Sequence, residues 1–131
     1  MAGDDNSRKI SEGFEVLLKF QKKFQEEHGF GFWKESPEKR RDMFIRTLFA
    51  AMGELAEAGD EVNKWWKKGH REPEALDLKK DKILEEMVDS LHFFLAALLI
   101  LKADGKDVAE AYMKKNKVNF DRQKKIELGY V

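Results

Sequence analysis

The segment Leu84-Glu85-Glu86-Met87-Val88-Asp89-Ser90-Leu91-His92-Phe93-Phe94-Leu95-Ala96-Ala97-Leu98-Leu99-Ile100-Leu101 carries both the architecture and the chemistry of this chain. It has no period-2 alternation, so it does not read as a half-buried strand. Its first half sets acids among apolar residues, and its second half is apolar on every side. A lone surface helix would keep a polar face. The spacing predicts a helix over residues 80–102, closed by Gly105, that is the centre of a bundle and part of an oligomer interface. The apolar run over residues 93–101 has nine members, whereas a membrane span needs roughly 20.

Working outward, the other helices follow from local signals. Residues 11–27 form a first helix, with Phe14, Leu17, Leu18, Gln21 and Phe24 on one face at spacings of three and four. Gly29 and Gly31 make residues 28–35 a loop. Ser36-Pro37 opens a second helix: the serine hydroxyl accepts an orphan backbone N–H, and proline has none to lose. Its stripe of Phe44, Leu48, Ala51, Leu55, Ala58, Val62 and Trp65 extends it toward Lys68, with Gly69 as the stop. Gly53 and Gly59 inside it point to a close neighbour or ligand, or are simply tolerated. Residues 69–79 read as a polar loop. Asp107 with Glu110 marks the start of a last helix reaching about Lys125. The expectation is one all-α domain over residues 1–131, a four-helix bundle assembled into a homodimer.

Composition excludes several roles. Lys plus Arg and Asp plus Glu are 25 each, a formal net charge of zero, so no global basic field draws nucleic acid. The absence of cysteine rules out disulfides, thiolate chemistry and Cys-ligated zinc. Residues 1–8 are polar and lack the apolar core of a signal peptide. The expectation is a cytoplasmic protein with neither membrane nor nucleic-acid partners.

The acids are the chemistry. Glu54 and Glu57 lie three apart on the second helix, and Glu86 and Asp89 repeat that spacing on the next. Residues three apart share a helical face. Such a pair alone is usually a solvated surface. Here Leu84, Met87, Val88 and Leu91 flank the second pair, and carboxylates in apolar surroundings are costly unless paired or metal-bound. Two pairs on neighbouring helices make an oxygen cage for magnesium, with more ligands than one ion needs; two or more ions are expected, and manganese suits the same ligands. His92 follows Asp89 by one turn, but a di-iron bundle would use two Glu-x-x-His motifs. The oxygen-ligated reading is preferred, and His92 is as well explained by a core hydrogen bond as by a role at the site. Glu54 and Glu85 are the candidates for general base.

On the last helix, Tyr112, Lys115, Asn119 and Arg122 are spaced three, four and three, a row of donors and cations on one face that suits a polyphosphate. The bland alternative is a solvated lysine-rich face. Gln21 is a polar intruder in an apolar stripe; its amide, with donors and an acceptor, can read the edge of a pyrimidine, or it is simply a partly exposed edge position. Phe93, one turn past Asp89, can stack on that base. Trp65 and Trp66 are adjacent and face different ways, so both cannot be core, and Trp66 is the favoured pocket residue.

The pairs Glu54-x-x-Glu57 and Glu86-x-x-Asp89 resemble the metal signature of the all-α pyrophosphohydrolases, the MazG-like superfamily. Residues 84–93 resemble the equivalent helix of the dimeric all-α dUTPases. Residues 112–123 with Gly129-Tyr130 resemble that family's closing motif, and Gln21 stands where the family has a base-contacting glutamine. The resemblance covers residues 14–130. It implies magnesium-dependent hydrolysis of dUTP, and of dUDP, to dUMP, with pyrophosphate released from the triphosphate; this keeps uracil out of DNA and supplies dUMP. Gln25 stands where the family more often has asparagine or aspartate, which keeps a dCTP-directed or broader MazG-like specificity open. A non-catalytic helical interaction module is the remaining alternative; it leaves the acids and the cationic row as coincidence.

Overall fold

The computed structural model describes residues 2–129, and among these every regular element is helical. The order is α1 (Ala2–Glu27), a 3-10 turn (Phe32–Lys34), α2 (Pro37–Asp60), the one-turn α3 (Ala75–Leu78), α4 (Lys80–Leu101) and α5 (Gly105–Glu127). No helix among them is long and apolar enough to cross a membrane.

Helix α1 begins nine residues before the expected position 11. Its added turns are held by ion pairs of the i,i+3 and i,i+4 kind: Asp5 with Arg8 at 2.7 Å, and Asp5 with Lys9 at 3.1 Å. Apolar periodicity could not reveal them because these residues are polar. Of the expected inner face, Leu18 and Gln21 are buried and Phe14 is half-buried, whereas Leu17 and Phe24 remain exposed.

Helix α2 opens as the sequence indicates, with Ser36 Oγ accepting from the Lys39 amide and Pro37 as the first helical residue. It ends at Asp60, not near Lys68. The Asn63 amide donates to Asp60 Oδ1 at 3.2 Å, a local bond that competes with the helical ladder. Lys79 Nζ reaches back to the Glu61 carbonyl at 2.7 Å, satisfying an acceptor that the helix would otherwise have used. Val62 is therefore only half-buried, and Trp65 does not continue the stripe. A Cβ on Gly53 or Gly59 would meet nothing within 4 Å, so neither glycine marks a close approach within the chain. The expected loop over residues 69–79 contains α3, seated through buried Ala75.

Helix α4 is the central element. It packs along α2 on one side and against α1 on another, and the 3-10 turn rests on both α2 and α4. Leu95, Ala96, Ala97 and Ile100 are buried, Ile100 at 1% exposure. It is closed by Lys102, not by Gly105. Lys102 takes the left-handed conformation (φ 64°), its amide bonding to the Leu99 carbonyl and the Ala103 amide to that of Leu98. Helix α5 starts three residues earlier than expected, on a capping box between Asp104 and Asp107 in place of Asp107 and Glu110. Gly105 is its first residue and lies against α1: its N–H donates to Glu15 Oε1, and the Ser11 carbonyl is close by. Helix α5 packs along α1. Large apolar residues on α2 (Ile45, Phe49, Met52, Leu55) and on α4 (Leu84, Met87, Leu91, Phe94) stay exposed in the single chain.

Candidate functional site

The α2–α4 contact sets the site. Ser90 Oγ donates to the Ala51 carbonyl at 2.8 Å, pinning the register of the two helices one turn from the acids. Opposite each other in that register, Glu54, Glu57 and Glu86 each bring a carboxylate oxygen to within 4.8 Å of the other two. Glu54 and Glu86 are half-buried and Glu57 is exposed. The Glu54 carboxylate beside it pushes the Glu57 carboxyl above the usual range, with hydrogen bonding to Glu54 and Glu86 adding to the effect. Like charges held this close need a shared proton or a cation between them. The donor set is all hard oxygen, and the repulsion is relieved by a divalent ion, so these residues fit such an ion.

Asp89 stands outside this three-oxygen group. It lines the adjacent cavity of about 520 Å³ together with Glu54. Glu85 is directed to solvent (67% exposed) and pairs with Lys82 at 3.9 Å. Lys82 also reaches Glu86 at 3.2 Å, where that carboxylate raises the lysine's own pKa. This cation beside the acids is a residue the sequence reading missed; its i,i+4 spacing to Glu86 was the available signal.

The cavity's other wall comes from α1, the 3-10 turn and the second half of α4. Gln21, His92 and Phe93 all line it, as does Gln25, noted in the sequence for its departure from the family pattern, together with Phe30 and Thr47, which had not been singled out. Gln21 and Gln25 are buried at 8% and 4% exposure. His92 Nδ1 lies 3.1 Å from Gln21 Oε1, Gln21 Nε2 donates to Gln25 Oε1 at 3.0 Å, and Gln25 Nε2 donates to the Phe30 carbonyl at 3.0 Å. Thr47, also on the cavity wall, donates its hydroxyl to the Met43 carbonyl at 2.7 Å. The arrangement offers an acidic mouth, an aromatic side and a polar end, which suits a base carrying a polyphosphate.

The remaining expected residues are elsewhere. Trp65 and Trp66 are 75% and 63% exposed, stacked edge-to-face at 5.8 Å, and neither lines the cavity. Tyr112, Lys115, Asn119 and Arg122 are exposed on α5 and do not line it either. Tyr130 lies outside the described residues. A second cleft of about 550 Å³, between α1 and the α4–α5 turn, contains none of the four acids.

Compared with known proteins, the chain matches the family model described as dUTPase over residues 14–104. That span runs from α1 through α4 and includes both acid pairs and the cavity wall; the α5 row falls beyond it. No curated protein and no solved structure matches the chain.

Proposed function

The chain belongs to the dimeric all-α dUTPase family and hydrolyses dUTP, and we propose that it does so with magnesium, releases pyrophosphate and dUMP, and acts on dUDP as well. One observation carries this reading: Glu54 belongs at once to the three-carboxylate group and to the wall of the cavity that holds Gln21 and Phe93. A triphosphate bound with its base in that cavity would extend its phosphates toward the acids.

Glu54, Glu57 and Glu86 would hold the metal, with Asp89 as the neighbouring ligand for a second ion. When bound, the metal supplies Lewis acidity, neutralising phosphate charge and making water a better nucleophile. Glu54, half-buried and facing the cavity, accepts the proton of the attacking water on a carboxylate oxygen. Glu85, exposed and engaged by Lys82, is the weaker candidate for that role. Gln21 and His92 bond the base edge and Phe93 stacks on it. The α5 row of Tyr112, Lys115, Asn119 and Arg122, exposed and away from the cavity, would reach the phosphates only through movement of α5 or from a second copy of the chain, and would there oppose the charge developing as the bond breaks. Trp66 would reach the nucleotide only through movement of the segment after α2. The exposed apolar residues of α2 and α4 support a homodimer, since a single chain rarely leaves so many large apolar side chains in water.

The departure from the family pattern at position 25 defines the second reading, a pyrimidine specificity shared with, or shifted to, dCTP. Pyrophosphate release assayed across the deoxynucleoside triphosphates, with and without magnesium, separates the two. The expected result is turnover of dUTP that requires the metal and vanishes in Glu57→Gln. A Glu57→Gln variant with undiminished magnesium-dependent turnover overturns the assignment.

A further inference from the structure

The polar end of the cavity is wired in one direction. The Phe30 carbonyl can only accept, so the Gln25 group 3.0 Å from it is the NH2. Gln25 Oε1 then faces Gln21, which must answer with its own NH2 at 3.0 Å. That turns Gln21 Oε1 toward His92, 3.1 Å from Nδ1, and this nitrogen must carry a proton. In neutral His92, Nε2 is consequently a bare acceptor. Gln21 keeps one amide N–H not used by the chain. Because Gln25 and Gln21 are 4% and 8% exposed, water cannot readily repair a flipped amide, which would set donor against donor or acceptor against acceptor.

We propose that Gln25 is a positioning residue for base selection, holding the Gln21 amide and the His92 tautomer so that the cavity offers uracil an acceptor beside a donor. Uracil presents an N3–H donor next to a carbonyl acceptor. Cytosine presents the reverse, a bare N3 beside an amino donor, and meets like groups. This inference rests on the reading of Gln21 and His92 as the base contacts. It also gives a physical role to the longer side chain at position 25: four positions apart on α1, the two glutamine amides meet one turn from each other, and Gln25 still reaches the Phe30 carbonyl.

The test compares kcat/KM for dUTP with the competitive inhibition constant of dCTP in the wild type, Gln21→Met, Gln25→Met and the double variant, methionine keeping length and volume without polarity. The expected result for Gln25→Met is a loss of preference for dUTP over dCTP by roughly tenfold, the size of one misdirected hydrogen bond. That loss falls on KM more than on kcat, and the double variant is no less selective than Gln21→Met. Selectivity kept in Gln25→Met but lost in Gln21→Met overturns the positioning role alone. Selectivity kept in Gln21→Met instead overturns the underlying base-contact reading. Should Gln25→Met fail to fold, nitrogen NMR of the wild type at pH 8 decides. His92, assigned by its absence from His92→Asn, is expected as the Nδ1–H tautomer, and a dominant Nε2–H form overturns the inference.

Discussion

Replacing Gly105 with alanine sets two physical effects against each other, and the structure says which wins. Alanine favours helix over glycine by about 1 kcal/mol in a helix interior, and less in a first turn. Gly105 is helical and its φ is not in the left-handed range, so conformational preference alone predicts a gain. Packing predicts a loss. A Cβ there would overlap the Ser11 backbone carbonyl and lie 2.8 Å from both Cγ and Oε1 of Glu15. The glutamate side chain can swing aside, but only by giving up the Gly105 N–H it accepts. The carbonyl cannot move unless α1 moves with it. Overpacking of this kind costs about 1–3 kcal/mol, and losing a hydrogen bond adds roughly 1 kcal/mol. The net expectation is destabilisation by about 1–3 kcal/mol, a fall in Tm of roughly 3–12 °C for a domain of this size. Thermal unfolding by circular dichroism, at fixed protein concentration because the chain is expected to associate, measures it. A Tm equal to or above the wild type refutes the close-approach argument. The same variant should leave the magnesium-induced rise in Tm intact, since the acids sit on α2 and α4 while Gly105 seats α5 on α1.

Three further outcomes follow from the same structure. Glu57 binds its proton more tightly in the folded state than in the unfolded chain, so its contribution to stability is greatest at acid pH and is lost as pH rises through the raised folded value. Metal-free Glu57→Gln should therefore be more stable than the wild type at neutral pH, and the difference should shrink toward pH 4 in denaturant titrations; a variant less stable at pH 7 contradicts the repulsion. Lys82→Met removes the cation 3.2 Å from Glu86 and should tighten magnesium binding several-fold by calorimetry, whereas weaker binding would mean that Lys82 helps to build the site. Lys102→Gly relieves a left-handed conformation at φ 64° and should raise stability by about 0.5–1 kcal/mol in chemical denaturation; a loss there would mean that the Lys102 side chain is itself stabilising.

What the sequence alone determined is what neighbours within a turn or two determine. The Ser36-Pro37 start of α2, the helical period of α1 and α4, and the two acid pairs at i,i+3 depend on residues close in the chain, and all were legible. Tertiary structure decided the rest. Helix α2 stops at Asp60, where Lys79, eighteen residues from its partner, satisfies the Glu61 carbonyl. Gly105 terminates nothing; it admits α1, and a lysine takes the left-handed position that a glycine was expected to fill. Identical spacing put Asp89 with Glu86 in sequence, yet the rotation of α4 against α2, pinned by Ser90 on Ala51, brings Glu86 into the carboxylate group and leaves Asp89 at the cavity. Periodicity says which side chains share a face. Only packing says how that face is turned, and so which carboxylates meet and which way the amides of Gln21 and Gln25 must point.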